Sequence, residues 1–81
     1  MSKQGRRVRS YDEAQNGDYW KSSGGYWLAI TPNGLFAALG KHLVVEHDDG
    51  SITVSPSILT KDGETTAEYH GFLERGVWRD C

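Results

Sequence analysis

Turn signals that contain glycine divide this 81-residue chain into short segments and constrain its fold more than any other feature. Glycine tolerates the positive φ that tight turns require, and proline suits the second position of a type I turn. Between the turns, apolar and polar residues alternate, and no helical period lasts long enough to compete. We therefore predict a mostly β fold: a small single-domain antiparallel meander of short hairpins, either open or barrel-like. The four turn signals are Thr31-Pro32-Asn33-Gly34, Asp49-Gly50, Asp62-Gly63 and Arg75-Gly76.

The hairpin around Asp49-Gly50 shows how a turn sets the pairing register. A two-residue turn pairs Val45 with Val54 and sorts the flanking residues cleanly between two faces. A three-residue loop, Asp48-Asp49-Gly50, would shift the pairing by one residue and mix the two sets, so the sorting favours the shorter turn. Pro56 cannot donate to a ladder and is expected to mark a bulge, an edge or a strand end. One face then carries Leu43, Val45, His47, Ile52 and Val54, and the other face, expected to be solvated, carries the hydroxyls of Ser51, Thr53 and Ser55.

Aromatic residues must supply much of the core in a domain this small. The Arg75-Gly76 turn is expected to place Trp78 opposite Leu73, where it would fasten the last strand to the sheet. Trp20 would anchor the other end of the domain, and Trp27 is the tryptophan expected to face a partner. Aromatic side chains also dominate many protein interfaces and stack on nucleic-acid bases. The candidate protein-binding residues are Trp20, Tyr26, Trp27, Tyr69, His70 and Trp78.

Charge is unevenly spread along the chain. The first ten residues carry four cations and no anion, whereas the rest carries five Lys and Arg against eleven Asp and Glu. We expect residues 1–10 to be a flexible basic arm and residues 11–81 to be a single β-rich domain, with one helical turn or none at 11–18. Such an arm either keeps the protein soluble or contacts nucleic acid. The candidate nucleic-acid-binding residues are Lys3, Arg6, Arg7 and Arg9.

The sequence carries no pattern that predicts catalysis, a metal or a cofactor. His42 and His47 are five residues apart and point to opposite faces of a strand, so they cannot chelate one ion. His47, His70 and Cys81 could meet only through folding, and no paired Cys-x-x-Cys spacing predicts zinc. No Gly-x-Ser-x-Gly motif is present, and the aspartates near glycines are explained by turn geometry. We expect a non-enzymatic protein without catalytic residues, metal ligands or cofactors.

The lone cysteine, Cys81, excludes an intramolecular disulfide and indicates a reducing compartment. The basic start of the chain is not followed by the apolar stretch of a signal peptide. The longest apolar runs are also too short to span a bilayer. We therefore expect a cytoplasmic protein without membrane contact, either monomeric or homodimeric.

Two long motifs resemble a known family. HLVVEHDDGSITVSPSIL at 42–59 and EYHGFLERGVWRDC at 68–81 resemble small uncharacterised proteins of bacteriophages and actinobacteria. Members of that family share a TPNG turn, a DGSITVSPSIL strand and a YHGFLERGVW segment, and the resemblance covers residues 26–81. It implies a phage or prophage origin and no catalytic residue. Broader relatives place Cys and His pairs on the equivalent hairpins, like a zinc ribbon, but residues 26–30 contain no cysteine here.

These features favour a small phage-type accessory protein that binds a host or phage protein. Its acidic body could occupy the basic groove of a host machine that handles nucleic acid or serves in defence, and so inhibit that machine. One alternative is a nucleic-acid-binding accessory protein that uses the basic arm and exposed aromatic residues. A weaker alternative is a zinc-ribbon-like protein or a structural component of the virion.

Overall fold

A computed structural model of the protein describes residues 2–61 and 68–80. Eight strands and one 3-10 helix make up the regular structure of these residues, and irregular connections are short. The predicted Asp62-Gly63 turn lies outside the described residues. The strands are β1 (Ser2–Gln4), β2 (Tyr19–Lys21), β3 (Trp27–Ile30), β4 (Phe36–Ala38), β5 (Leu43–Glu46), β6 (Ile52–Lys61), β7 (Glu68–Glu74) and β8 (Val77–Asp80), and the 3-10 helix spans Tyr11–Glu13.

The strands form two antiparallel sheets, which confirms the predicted mostly β fold of short hairpins. The larger sheet has the order β1-β8-β7-β6-β5, and the smaller one has the order β2-β3-β4. Each sheet ends in two edge strands, so in the described ranges the sheets are open rather than closed into a barrel. Of the two alternatives for residues 11–18, one helical turn is the one present, as the 3-10 helix, and none of its residues is buried.

The core lies between the two sheets and is built from the inward-facing residues of both. Alternation along β7 shows the pattern: Tyr69, Gly71 and Leu73 are buried, and the residues between them are exposed. Burying one face of an antiparallel sheet and leaving the other in water is common for sheets of this size. The buried hydrophobic cluster contains Tyr19, Trp27, Ala29, Ala37, Leu39, Ile52, Val54, Ile58, Tyr69, Leu73 and Trp78.

The turn at Arg75-Gly76 has the predicted form. Arg75 and Gly76 both have positive φ, 48° and 79°, as a two-residue type I′ turn requires. Leu73 consequently pairs with Trp78, as expected. The turn at 31–34 is also confirmed, because the Gly34 N–H donates to the Thr31 carbonyl at 2.9 Å.

The predicted register of the β5–β6 hairpin is wrong by one residue. Val44, not Val45, pairs with Val54, because Asp48, Asp49 and Gly50 together form a three-residue loop. The Gly50 N–H donates to the His47 carbonyl at 2.9 Å, and Gly50 has a φ of 88°. A type I turn followed by a glycine in the left-handed region is the usual three-residue hairpin loop. The Asp49-Gly50 pair therefore lies in a three-residue loop, although the dipeptide alone favours a two-residue turn.

This register moves two apolar residues of β5 to the outer face of the larger sheet. Leu43 pairs with Ser55 and Val45 pairs with Thr53, so both lie on the hydroxyl face and are exposed. Ser55 is solvated as predicted, whereas Ser51 is buried and donates its hydroxyl to Asp49 Oδ1 at 2.6 Å. The hydroxyl face is therefore a mixed polar and apolar surface.

Strand β6 continues past Pro56 instead of ending there. Pairing with β7 changes register between Val54 and Ile58, and the Ser55–Pro56 peptide bond inside this stretch is cis. The proline therefore marks an irregularity, one of the outcomes predicted for it. The ten-residue strand β6 therefore includes residues on both sides of the proline.

The N-terminal segment is not a flexible arm over the described residues 2–10. Lys3 in β1 pairs with Trp78 in β8, and the Gly5 N–H donates to the Gly76 carbonyl at 2.7 Å. Two residues later, Arg7 forms a parallel bridge with Tyr19 of the smaller sheet. The segment thus joins the two sheets, and the expected boundary between an arm and a domain at residues 10 and 11 does not correspond to a structural boundary.

Candidate protein-binding surface

Four of the six candidate protein-binding residues belong to the core. Trp20, Trp27, Tyr69 and Trp78 are all buried, so in the folded protein they cannot form an exposed binding surface. The two remaining candidates, Tyr26 and His70, are exposed and lie on different sheets or their connections. The structure therefore does not bring the six residues together on one surface.

Trp78 fastens the last strand to the core, as predicted. Only 1% of its surface is exposed, and its ring meets Tyr69 edge-on at a centroid distance of 5.5 Å. Its indole N–H donates to the Gly17 carbonyl at 2.8 Å, which satisfies the polar atom of this buried ring. Gly5 packs against the same ring, where an added Cβ would lie 3.0 Å from Nε1.

Trp27 does not face solvent, contrary to the expectation that it would meet a partner. It is 8% exposed, and its ring is covered by two cations. The Arg7 guanidinium lies 5.0 Å from the ring centroid, and the Lys21 ammonium lies 5.9 Å from it. Both cations are within the range of attraction to an aromatic face. Arg7 comes from the segment expected to be mobile, so its ordering explains why Trp27 is covered.

Trp20 is buried, as expected for an anchor, under two partly exposed aromatic residues. Tyr11 lies 5.9 Å from it and Phe36 lies 6.3 Å from it, measured between ring centroids. Tyr11 comes from the 3-10 helix and Phe36 from β4. The exposed rings of Tyr11 and Phe36 therefore cover Trp20 and form the outer side of a local aromatic cluster.

The basic residues expected to contact nucleic acid are occupied within the molecule. Arg6 pairs with the buried Asp18 at 3.1 Å, Arg7 with Glu46 at 2.6 Å and Arg9 with Glu13 at 2.6 Å. The groove lined by these three arginines also contains the carboxylate of Glu13. The Lys3 side chain lies against Gly17, where an added Cβ would approach its Cε to 2.9 Å.

These ion pairs shift the pKa of the groups involved. The hydrogen bond from Arg7 lowers the pKa of the Glu46 carboxyl, and the hydrogen bond from Arg9 does the same to the pKa of Glu13. Glu13 in turn raises the pKa of Arg9. All three groups are solvated, so the pairs orient side chains at the surface and are screened by salt.

Each of the three histidines contacts a neighbouring oxygen, and two of them contact Ser57. His47 Nε2 is 2.7 Å from Thr53 Oγ1, and His70 Nε2 is 3.0 Å from Ser57 Oγ. His42 Nε2 lies 3.2 Å from the Ser57 carbonyl oxygen. Among the described residues, no group of three or more His, Cys, Asp or Glu side chains is arranged to hold a metal ion. The idea that His47, His70 and Cys81 converge involves Cys81, which lies outside the described residues.

Exposed side chains of three neighbouring strands form a contiguous surface on the outer face of the larger sheet. Leu59 pairs with His70 across β6 and β7, and Phe72 pairs with Arg79 across β7 and β8. His70 and Phe72 lie on the same face because they are two residues apart on one strand. Leu59 is 55% exposed and Phe72 is 38% exposed. We call Leu59, His70, Phe72 and Arg79 the outer patch.

Polar contacts hold the rim of the outer patch. Ser57 is hydrogen-bonded to His70, and Arg79 forms an ion pair with Glu74. Further along the same strands, Lys61 and Glu68 are 3.8 Å apart. The apolar side chains of Phe72 and Leu59 thus lie on the exposed face of the sheet, flanked by ion pairs, and neither side chain belongs to the buried core.

Of the outer patch, sequence reasoning identified only His70. Leu59 and Phe72 each stand beside another apolar residue, Ile58 and Leu73, and the sequence alone does not show which member of each pair points inward. The strict alternation from Tyr69 to Leu73 was the available signal, since burying Tyr69 and Leu73 forces Phe72 outward.

Comparisons of the chain with protein families, curated proteins and solved structures found no match. Within the described parts of the chain, no helix is long and apolar enough to cross a membrane.

Proposed function

We propose that this protein is a non-enzymatic accessory protein of phage type that works by binding a host or phage protein through the outer patch. The observation that carries the proposal is the exposure of Phe72 and Leu59 in the middle of the larger sheet, while the opposite face of that sheet buries a complete core. Exposed apolar side chains rimmed by polar residues are typical of interaction sites.

The composition of the outer patch suits a protein partner. Aromatic residues and arginine contribute most to the binding energy of protein interfaces. Phe72 and Arg79 lie side by side on paired strands, and the flanking carboxylate of Glu74 already orients the guanidinium of Arg79. A partner therefore meets a patch whose main polar side chains are already positioned.

Inhibition of a nucleic-acid-handling or defence machine is the sharper form of this proposal. The chain has a formal net charge of −2, and the arginines near its start are paired with carboxylates. The same pairing gives less support to a nucleic-acid-binding role for Lys3, Arg6, Arg7 and Arg9, because phosphate would have to compete with Asp18, Glu46 and Glu13.

Affinity capture from host lysate, with and without nuclease, tests the proposal when Phe72→Ser is compared with the parent. Tyr26→Ser is the matched control, since Tyr26 is an exposed aromatic residue outside the larger sheet. We expect a captured protein that survives nuclease, is lost with Phe72→Ser and is kept with Tyr26→Ser. Urea unfolding of both variants checks that they are folded.

Other outcomes would contradict the proposal in identifiable ways. Loss of all captured proteins on nuclease treatment would favour the nucleic-acid alternative. Loss of binding with Tyr26→Ser but not with Phe72→Ser would move the binding surface to the loop before β3.

A further inference from the structure

Strand β5 leaves one edge of the larger sheet open. It pairs with β6 on one side, and within the described residues no strand pairs with its other side. Natural proteins usually protect such edges with charged residues, prolines or bulges. The opposite edge strand, β1, is polar throughout and carries Lys3. Strand β5 instead exposes Leu43 and Val45, by 68% and 46%.

The pattern of hydrogen bonds between β5 and β6 determines which backbone N–H and C=O groups point to this open edge. The His47 N–H donates to the Ser51 carbonyl at 2.8 Å, so these two residues form a hydrogen-bonded pair. Hydrogen-bonded and non-hydrogen-bonded pairs alternate along an antiparallel ladder. Leu43 and Val45 therefore bond to β6, whereas the N–H and C=O groups of Val44 and Glu46 point to the open edge.

We propose that this edge pairs with β5 of a second copy of the chain, around a two-fold axis at Val45. Antiparallel pairing about Val45 brings Val44 opposite Glu46 of the second copy. Val44 of each copy then forms a hydrogen-bonded pair with Glu46 of the other copy, and the two five-stranded sheets become one continuous sheet.

Two-fold axes at the neighbouring residues Val44 and Glu46 would pair the two strands less well than an axis at Val45. An axis at Val44 would pair Glu46 with His42, whose N–H already donates to the Leu39 carbonyl at 3.0 Å. An axis at Glu46 would require Asp48, which lies in the hairpin loop rather than in the strand. Only the axis at Val45 uses the edge groups of strand residues alone.

Charge also favours a second copy as the occupant of this edge. Lys41 precedes β5, and Asp48 and Asp49 follow it. Antiparallel pairing places the basic start of one strand beside the acidic end of the other, which is complementary in both directions. Glu46 does not oppose this approach, because its carboxylate is paired with Arg7 at 2.6 Å.

The proposed pairing places the two Val45 side chains against each other on the outer face, as a non-hydrogen-bonded pair. Since the axis is perpendicular to the sheet, both outer patches lie on the same side of the dimer. The dimer does not depend on the proposed function, but it would present two binding surfaces to one partner assembly.

Sedimentation velocity of the full chain over a range of concentrations tests the pairing. We expect the parent to dimerise, and Val45→Lys and Val45→Glu each to be monomeric, because like charges would face each other across the axis. An equimolar mixture of these two variants should associate again as a heterodimer. Leu59→Lys is the matched control on the same face, away from the edge, and it should still dimerise.

Amide hydrogen exchange of the parent provides a test without substitutions. The N–H groups of Val44 and Glu46 should be protected at high concentration and become unprotected on dilution, while the Val45 N–H stays protected throughout. A parent that remains monomeric at its highest soluble concentration, or a Val45→Lys variant that still dimerises, overturns the proposal. A mixture that does not associate overturns the axis at Val45.

Partner capture separates this proposal from the proposed function. Val45→Lys should lose dimerisation and keep partner binding, whereas Leu59→Lys should keep dimerisation and lose partner binding. If partner binding fails for the parent, the sedimentation result still decides the dimer.

Discussion

Trp78→Ala is the substitution that should destabilise the protein most. The ring is almost completely buried, it meets Tyr69 edge-on at 5.5 Å and it donates to the Gly17 carbonyl at 2.8 Å. Removing a buried aromatic side chain costs about 3–5 kcal/mol. A domain of 81 residues has a total stability of about 4–12 kcal/mol. The variant should therefore lose a large part of its stability, and it should be mostly unfolded if the parent lies near the lower limit.

A second variant separates packing from hydrogen bonding. Trp78→Phe keeps an aromatic ring but leaves the Gly17 carbonyl without its donor, which should cost about 1–3 kcal/mol. Urea unfolding followed by far-UV circular dichroism measures both effects. Tyr26→Ala is the control and should change stability by no more than about 0.5 kcal/mol, because this ring is exposed. A Trp78→Ala variant with the midpoint of the parent would refute the assignment of Trp78 to the core.

Three other substitutions or treatments test the remaining features. Gly5→Ala should destabilise the protein by about 1–3 kcal/mol, because its Cβ would lie 2.6 Å from the Gly17 carbonyl oxygen, whereas Gly40→Ala has ordinary contacts and should be almost neutral in the same urea experiment. The hydrogen bond from Arg7 lowers the pKa of Glu46 in the folded protein. Their ion pair therefore stabilises the folded state at pH values above the ordinary carboxyl pKa of 4.5, and this contribution to stability is lost as the pH falls through the lowered pKa. Glu46→Gln should therefore show a smaller loss of stability between neutral and acidic pH, measured by thermal unfolding at several pH values. Treatment with a strong chelator should leave the melting temperature of the parent unchanged, and a large decrease would indicate a metal.

Local turn chemistry explains which parts of the fold could be predicted from the sequence. The Arg75-Gly76 turn was predicted correctly with its register, because a two-residue loop with positive φ at both positions satisfies both strands. The same reasoning was wrong at Asp49-Gly50, where the glycine occupies the third position of a longer loop. A dipeptide preference identifies a hairpin but does not by itself determine the length of its loop.

Long-range pairing explains what could not be predicted. Nothing near Lys3 in the sequence indicates that β1 pairs with β8 at the other end of the chain. The same segment supplies Arg7, which lies over the ring of Trp27, the tryptophan expected to face a partner. Of the outer patch, the sequence identified only His70 as a candidate binding residue, and the outward position of Phe72 became clear only from the alternation of buried and exposed residues along β7.

The pairing of β1 with β8 determines when the fold can be completed during synthesis. Residues 2–4 leave the ribosome long before their partners at 77–79 are made. Until then, Gly5 and the groups around Gly17 lack the indole of Trp78, so the nascent chain cannot close its core. Contacts between residues so distant in sequence also slow folding, because a long loop must be ordered before they form. Co-translational folding of this protein should therefore be late, and a nascent chain truncated before residue 77 should remain sensitive to protease.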